Sequence, residues 1–162
     1  MAPHRLTLTR QEVALMRALS RLVTALPRAL DADLMRDQQI SLTDYFALTY
    51  LAEADDDRLR MGELADALCM TEGGATRTVK RLEAEGYVER RRSTVDRRGF
   101  DVVLTDVGRE RLQKAWPSHL ASARSRVLDA IDPADIARIT EVIRQITPEY
   151  KQPLAPPASD RG

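Results

Sequence analysis

A chain of 162 residues is long enough for one domain with a sizeable core, and its 25 basic and 25 acidic side chains cancel, so no bulk charge draws it to polyanions. Membrane-spanning and disulfide-stapled architectures are excluded as well. No apolar run approaches the roughly 20 residues that cross a bilayer, and the single cysteine, Cys69, rules out an internal disulfide framework or a multi-cysteine zinc site. The stretch MAPHRLTLTR lacks the apolar centre of a signal peptide, so a cytoplasmic location with no membrane partner is expected.

Over residues 7–36, Leu15, Leu19, Leu22, Leu26 and Leu30 recur at helical spacing with Met16 and Val23 beside them. Pro27 falls inside this first helix and cannot donate to the carbonyl four residues back, which predicts a kink. Ser41 is an N-cap for a second helix whose inward stripe is Leu42, Tyr45, Leu48 and Leu51. It ends at the polar turn Asp55-Asp56-Asp57-Arg58. A short helix over 61–68 turns inward with Leu64 and Leu68, and Cys69-Met70 makes a tight turn. Thr71 then caps a helix to about Glu85 that buries Ala75, Val79 and Leu82, with Gly86 as its C′ residue.

Beyond Gly86 the period becomes strand-like. Residues 87–91 and 100–104 read as two strands joined by the polar turn 93–99. Thr105 caps a long helix to about Ala130, with a distortion expected at Trp116-Pro117. Asp132 and Pro133 open a last helix carrying Ile136, Ile139, Ile143 and Ile146. The fold class expected is therefore mainly α with a small β-hairpin wing: a winged helix-turn-helix flanked by N- and C-terminal helices. The whole chain, 1–162, reads as one domain, with its winged lobe over 41–105 and the proline-rich tail 148–162 expected to lack a fixed structure.

The charge, though balanced overall, is not evenly spread. Between Arg77 and Arg98 eight basic residues face four acidic ones, a local +4. The polar face of the helix after Thr71 holds Glu72, Gly73, Thr76, Arg77 and Lys80. Small residues at its start, Gly73 and Gly74, let a backbone approach DNA closely, Thr76 suits a phosphate or a thymine methyl, and Arg77 suits guanine. A solvated helix face explains the same pattern. The hairpin adds Arg90, Arg91, Arg92, Arg97 and Arg98, whose mutual repulsion an anion would relieve; an arginine at such a tip suits a narrow minor groove. Asp96 can tie the turn by pairing with a neighbouring arginine. A charged edge that blocks sheet aggregation is the competing explanation.

The segments Leu59-Arg60-Met61-Gly62-Glu63-Leu64-Ala65, Arg81-Leu82-Glu83-Ala84-Glu85-Gly86-Tyr87-Val88-Glu89-Arg90, Asp96-Arg97-Arg98-Gly99 and Val102-Val103-Leu104-Thr105 together resemble the MarR (multiple antibiotic resistance regulator) family. The family's wing pattern is Asp, any residue, Arg, three residues, Val or Ile, any residue, Leu, Thr. Asp96, Arg98, Val102, Leu104 and Thr105 fill every fixed position, and the resemblance extends over about 6–146. It implies an obligate homodimer formed through helices at 7–36 and 106–147. It also implies binding to a pseudo-palindromic operator in double-stranded DNA, mostly for repression, with release by a small, often phenolic ligand. The DNA-contacting set implied is Thr71, Gly73, Gly74, Thr76, Arg77, Lys80, Arg90, Asp96, Arg97 and Arg98.

Phe46, Tyr50, Trp116 and His119 are candidates to line a ligand crevice between the dimer helices and the lobe, although dimer packing explains them equally. Cys69 reads as a small buried hydrophobe rather than a redox sensor, since the family's peroxide-sensing cysteine lies on the first helix. Neither histidine, His4 or His119, has a ligand at metal spacing, and no cofactor is expected. No glycine-rich phosphate loop, Ser/His/Asp arrangement or facing carboxylate pair points to an enzyme. A winged module that binds protein is the alternative, but it would not need five arginines in its wing.

Arg98, at the arginine position of the wing pattern, is expected to enter the minor groove, where its weakly hydrated guanidinium is readily desolvated. Arg98→Ala should weaken operator binding tenfold or more, about 1.4 kcal/mol, with the fold intact. Fluorescence anisotropy with a melting control checks this; unchanged affinity would remove the wing from the interface.

Overall fold

The computed structural model describes residues 7–93 and 99–147. Helix α1 spans Arg10–Gln38, α2 Leu42–Glu53, strand β1 Arg58–Arg60, α3 Met61–Ala67, α4 Glu72–Ala84, β2 Val88–Arg92, β3 Phe100–Leu104, α5 Asp106–Arg126 and α6 Ile136–Ile146. Asp55–Asp57 forms a 3-10 turn before β1, and two more, Leu128–Ala130 and Pro133–Asp135, join α5 to α6.

Local chemistry sets the helix ends. Thr9 and Glu12 form a reciprocal capping box at α1, with the Glu12 N–H donating to Thr9 Oγ1 at 3.2 Å and the Thr9 N–H to Glu12 Oε2 at 2.6 Å. The caps expected at Ser41, Thr71 and Thr105 are in place, each side-chain oxygen accepting the N–H three residues on. Asp132 caps the 3-10 turn that leads into α6 rather than α6 itself. Pro27 and Pro117 lie inside α1 and α5 without ending either, because a long ladder survives one missing donor. The fifth helix is shorter than expected: it stops at Arg126, where Val127 leaves helical geometry.

The core is built around α2. Tyr45, Leu48 and Leu51 on its expected stripe are fully buried, and Ala47, Thr49 and Tyr50 on its other sides are buried as well. It packs against α1, α3, α4, α5, β1 and β3. The hairpin is part of a three-stranded antiparallel sheet in the order β1-β3-β2. Val88 pairs with Leu104 and Arg92 with Phe100, while Arg58 pairs with Val103 and Arg60 with Asp101. The third strand corrects the expectation that Arg58 closes a turn. Asp56 and Asp57, both at positive φ, make the turn, and Arg58 already lies in β1. The run Arg-Leu-Arg lacks the apolar alternation that marks a strand; its pairing to β3 makes it one.

α5 begins against the base of the hairpin. The Thr105 N–H donates to the Tyr87 carbonyl at 3.1 Å. Its hydroxyl donates to the Gly86 carbonyl at 2.7 Å and accepts from the Gly108 N–H at 3.0 Å. Gly86 takes the positive φ, 74°, that its C′ position requires. At Gly108 a Cβ would meet the Tyr87 carbonyl oxygen at 2.1 Å, so only glycine fits.

Two helices are left with apolar faces uncovered. α6 buries no side chain, and Ile136, Val142, Ile143 and Ile146 are exposed. In α1, Leu15, Met16, Leu22 and Val23 are exposed, Val23 at 70%. Only toward its C-terminal end does α1 enter the core, through Leu30 and Leu34.

α1 and α5 are clamped at Asp33, which is 7% exposed. Its carboxylate accepts from both Arg126 Nε (2.7 Å) and Nη2 (3.0 Å), from Arg36 Nη1 (2.9 Å) and from the Ser122 hydroxyl. Hydrogen bonds from Arg126 and Ser122 hold this carboxyl well below the usual carboxylate range. A depressed folded-state pKa contributes stability above the ordinary aspartate value of about 4, and that contribution is lost as the pH falls below it. Asp33→Asn should therefore lower the melting temperature at pH 7, with the gap from the parent narrowing steadily as the pH falls below about 4. A gap that persists unchanged at low pH would show that the clamp acts through shape rather than charge.

Candidate nucleic-acid interface

The turn from α3 to α4 is compact: the Cys69 N–H donates to the Asp66 carbonyl and the Met70 N–H to the Ala65 carbonyl, both at 3.0 Å. Cys69 adopts a left-handed φ of 51° and is exposed. This corrects the expectation that it is buried. A residue reversing the chain at a helix end has its side chain outside the two packed faces, whatever its hydrophobicity.

α4 divides as expected. Ala75, Thr78, Val79 and Leu82 are buried, while Glu72, Gly73, Arg77 and Lys80 are exposed and Thr76 and Gly74 are partly covered. The basic residues nearby fall into two groups. Arg81, though exposed, is committed to the fold, its guanidinium forking onto Asp44 at 2.6 and 3.0 Å and tying the last turn of α4 to the first turn of α2. Arg90 is likewise engaged, with Glu83 accepting at 2.7 and 3.0 Å, so β2 is fastened to α4. Arg91 pairs with Glu89. Arg77 and Lys80, by contrast, have no ion-pair partner among the described residues. The Thr76 hydroxyl donates to the Glu72 carbonyl at 2.8 Å, leaving its lone pairs and methyl group for another partner. Asp96, Arg97 and Arg98 lie outside the described residues.

Gly73 and Gly74 differ. A Cβ at Gly74 would press on Met70 Sδ and Thr71 Oγ1 at 3.4 Å, whereas one at Gly73 meets nothing within 4 Å. Nothing within the described fold requires a glycine at 73.

A second cluster lies between α2 and α5. Phe46, Tyr50, Trp116 and His119 do come together, with ring centroids 6.1 Å apart for Phe46–Tyr50, 5.8 Å for Phe46–His119 and 6.5 Å for Trp116–His119. Tyr45, assigned from the sequence only to the core stripe, belongs to it as well, tilted on His119 at 4.4 Å. The Tyr45 hydroxyl and His119 Nδ1 are buried with no hydrogen-bond partner among the described residues. Burial lowers the His119 pKa and raises that of Tyr45.

Residues 38–99 match a model of the MarR family. The solved structure of Sco3205, a MarR family transcriptional regulator from Streptomyces coelicolor in complex with DNA, superimposes with a TM-score of 0.83 at 32% identity, over 93% of this chain and 98% of that one. The chain belongs to the MarR family. AbsC, a MarR family transcriptional regulator from the same organism, is 29% identical with a TM-score of 0.81, over 89% of this chain and 97% of that one. Among curated proteins, the transcriptional repressor MprA of Escherichia coli is 34% identical over 84 residues, 52% of this chain and 48% of that one; the chain spans about half the length of the curated relatives it matches.

Within this MarR-family lobe the open surface at Gly73 generates a test with opposite signs. Gly73→Ala should raise helix stability by up to about 1 kcal/mol, read as a higher melting temperature. If the bare backbone serves close approach to DNA, the same substitution should weaken duplex binding several-fold. A variant that is more stable and binds equally well would free Gly73 of any role at the interface.

Proposed function

We propose that this chain acts as a homodimeric DNA-binding transcriptional regulator, a repressor that presents α4 to the major groove of a pseudo-palindromic operator. The observation that carries this is the sorting of charge on α4. Arg81 and Glu83 are consumed in holding the helix to α2 and β2, while Arg77 and Lys80 stay exposed on the face that the lobe turns outward, with no ion pair among the described residues. Arg77 would reach a base edge and Lys80 a phosphate, with Thr71, Gly73, Gly74 and Thr76 bringing the helix start close. Arg98 would enter the flanking minor groove and Arg90 and Arg97 would meet the adjoining backbone, with Asp96 bracing the turn; Arg90 would then divide its donors between Glu83 and a phosphate.

The uncovered apolar faces of α1 and α6 support a second copy as the partner, with the recognition helices about one turn of DNA, roughly 34 Å, apart. The aromatic cluster Phe46, Tyr50, Trp116 and His119, with its unsatisfied buried Tyr45 hydroxyl, supports a small aromatic, often phenolic, effector that would release the DNA.

Sequencing the genomic fragments retained by the purified protein identifies an operator, and anisotropy on that operator and on random duplex then gives the decisive comparison. Arg77→Ala should cost about 1–3 kcal/mol on the operator and clearly less on random DNA. Equal losses on both would confine Arg77 to phosphates, and a monomer at micromolar concentration by analytical ultracentrifugation would sink the dimeric arrangement.

A further inference from the structure

α1 carries two stripes on opposite sides. At 3.6 residues per turn, Arg10, Arg17, Arg21 and Arg28 fall within about 20° of one line along the helix, and all four are exposed. Leu15, Leu19, Leu22 and Leu26 cluster on the other side, on the stripe that continues into the core through Leu30 and Leu34. The arginines step by seven, four and seven residues, so they span about 27 Å at 1.5 Å per residue. From Arg10 to Arg28 the helix holds one carboxylate, Glu12. It lies on the apolar side and is engaged with Thr9. Among the described residues none of the four arginines has an ion-pair partner.

Like charges one turn apart on a helix destabilise it, and an anion removes that cost. The chemistry of the face says which anion. Between Arg10 and Arg28 the residues beside the arginines are Ala14, Thr24 and the half-buried Val13, with no aromatic or large aliphatic side chain to anchor a protein partner at the centre of the stripe; the exposed Met35 lies beyond its end. A lipid surface would need the apolar side toward the bilayer, which turns the arginines, on the opposite side of the helix, away from it. A phosphodiester backbone asks for guanidinium forks and small neighbours, and for no apolar anchor. The stripe is as long as about eight base pairs at 3.4 Å each.

We infer that the arginine stripe of α1 is a second, sequence-independent docking surface for the backbone of a nucleic-acid duplex, separate from α4 and the wing. α1 packs on α5 and α2, so a duplex on its outer side leaves the lobe open. A protein engaged through α4 would then hold a second duplex segment as well. This bridging rests on the operator-binding reading above; the stripe itself does not.

The test uses the full chain and a 30-base-pair duplex of arbitrary sequence at about 50 mM salt, with anisotropy for affinity and sedimentation for stoichiometry. Arg77→Ala/Lys80→Ala, which removes the α4 contacts, should weaken binding to this duplex without abolishing it. Adding Arg10→Gln, Arg17→Gln, Arg21→Gln and Arg28→Gln should weaken it at least tenfold and lower the salt slope by about 0.9 for each phosphate no longer neutralised. Without DNA the melting temperature should not fall, and sedimentation should not change. In the parent, duplex should protect Arg17 and Arg21 from phenylglyoxal, read by mass spectrometry, a measurement that needs no variant. Equal affinity after the four substitutions, absence of protection, or loss of oligomer or fold would each overturn the inference. So would capture by phosphatidylglycerol vesicles in preference to duplex. Failure of the operator reading alone would look different: Arg77→Ala/Lys80→Ala would leave operator affinity untouched while the stripe variants still failed to hold the arbitrary duplex.

Discussion

A helix with no solvent side sets the terms for everything around it. α2 must be enclosed because Tyr45, Leu48 and Leu51 face one way and Ala47 and Tyr50 another, and each is buried. Burying a side chain of the Leu class is worth about 1.5–3 kcal/mol relative to exposure, so a helix with large side chains to bury on several sides is stable only inside a ring of neighbours. α1, α5, the α3–α4 pair and the sheet form that ring. The lobe that presents α4 and the helices left uncovered at the two ends are thus packed on one central element, and neither can be laid out independently of the other.

Where the ring meets polar chemistry, ion pairs with one buried partner fix its geometry. Exposed salt bridges contribute little, but Asp33 and Asp44 are each below 9% exposed and each is met by an arginine fork. Removing Arg81 would leave the buried Asp44 carboxylate without a compensating charge, whereas Asp33 would keep Arg36 and Ser122 if Arg126 were lost. The fork on Asp33 aligns α5 with α1; the fork on Asp44 fastens α4 to α2. Arg77 and Lys80 lie on the face opposite the buried Ala75, Val79 and Leu82, a roll with which the Arg81 fork agrees.

The elements legible in the sequence are those whose signal is local. Caps at Ser41, Thr71 and Thr105, the glycine stop at 86, the α2 stripe and the two hairpin strands all depend on residues a few positions apart, and all are present. What the sequence conceals depends on distance. β1 is a strand only because β3 pairs with it. The Asp33–Arg126 clamp joins residues 93 positions apart, and the Asp44–Arg81 fork 37; periodicity carries no information about either. Tyr45 reads as core because its spacing is that of the stripe, and only the packing of α5 brings His119 onto its ring. Cys69 departs from expectation because backbone geometry outranks hydrophobicity at a chain reversal. For the candidate interface on α4, the exposed face is readable in the sequence, but which of its charges are already spent is not.

The joint at Gly108 has a mechanical consequence. With a carbonyl oxygen where a Cβ would be and hydrogen bonds from Thr105 to both Gly86 and Tyr87, the first turn of α5 and the root of β2 have no room to slide past one another. Close-packed surfaces of this kind transmit displacement instead of absorbing it. A tilt imposed anywhere along the 21-residue rod of α5 must then swing the wing through a comparable angle, and a small shift near one end becomes a change in span at the other. The joint behaves as a rigid crank with no backlash: whatever moves the helix steers the hairpin.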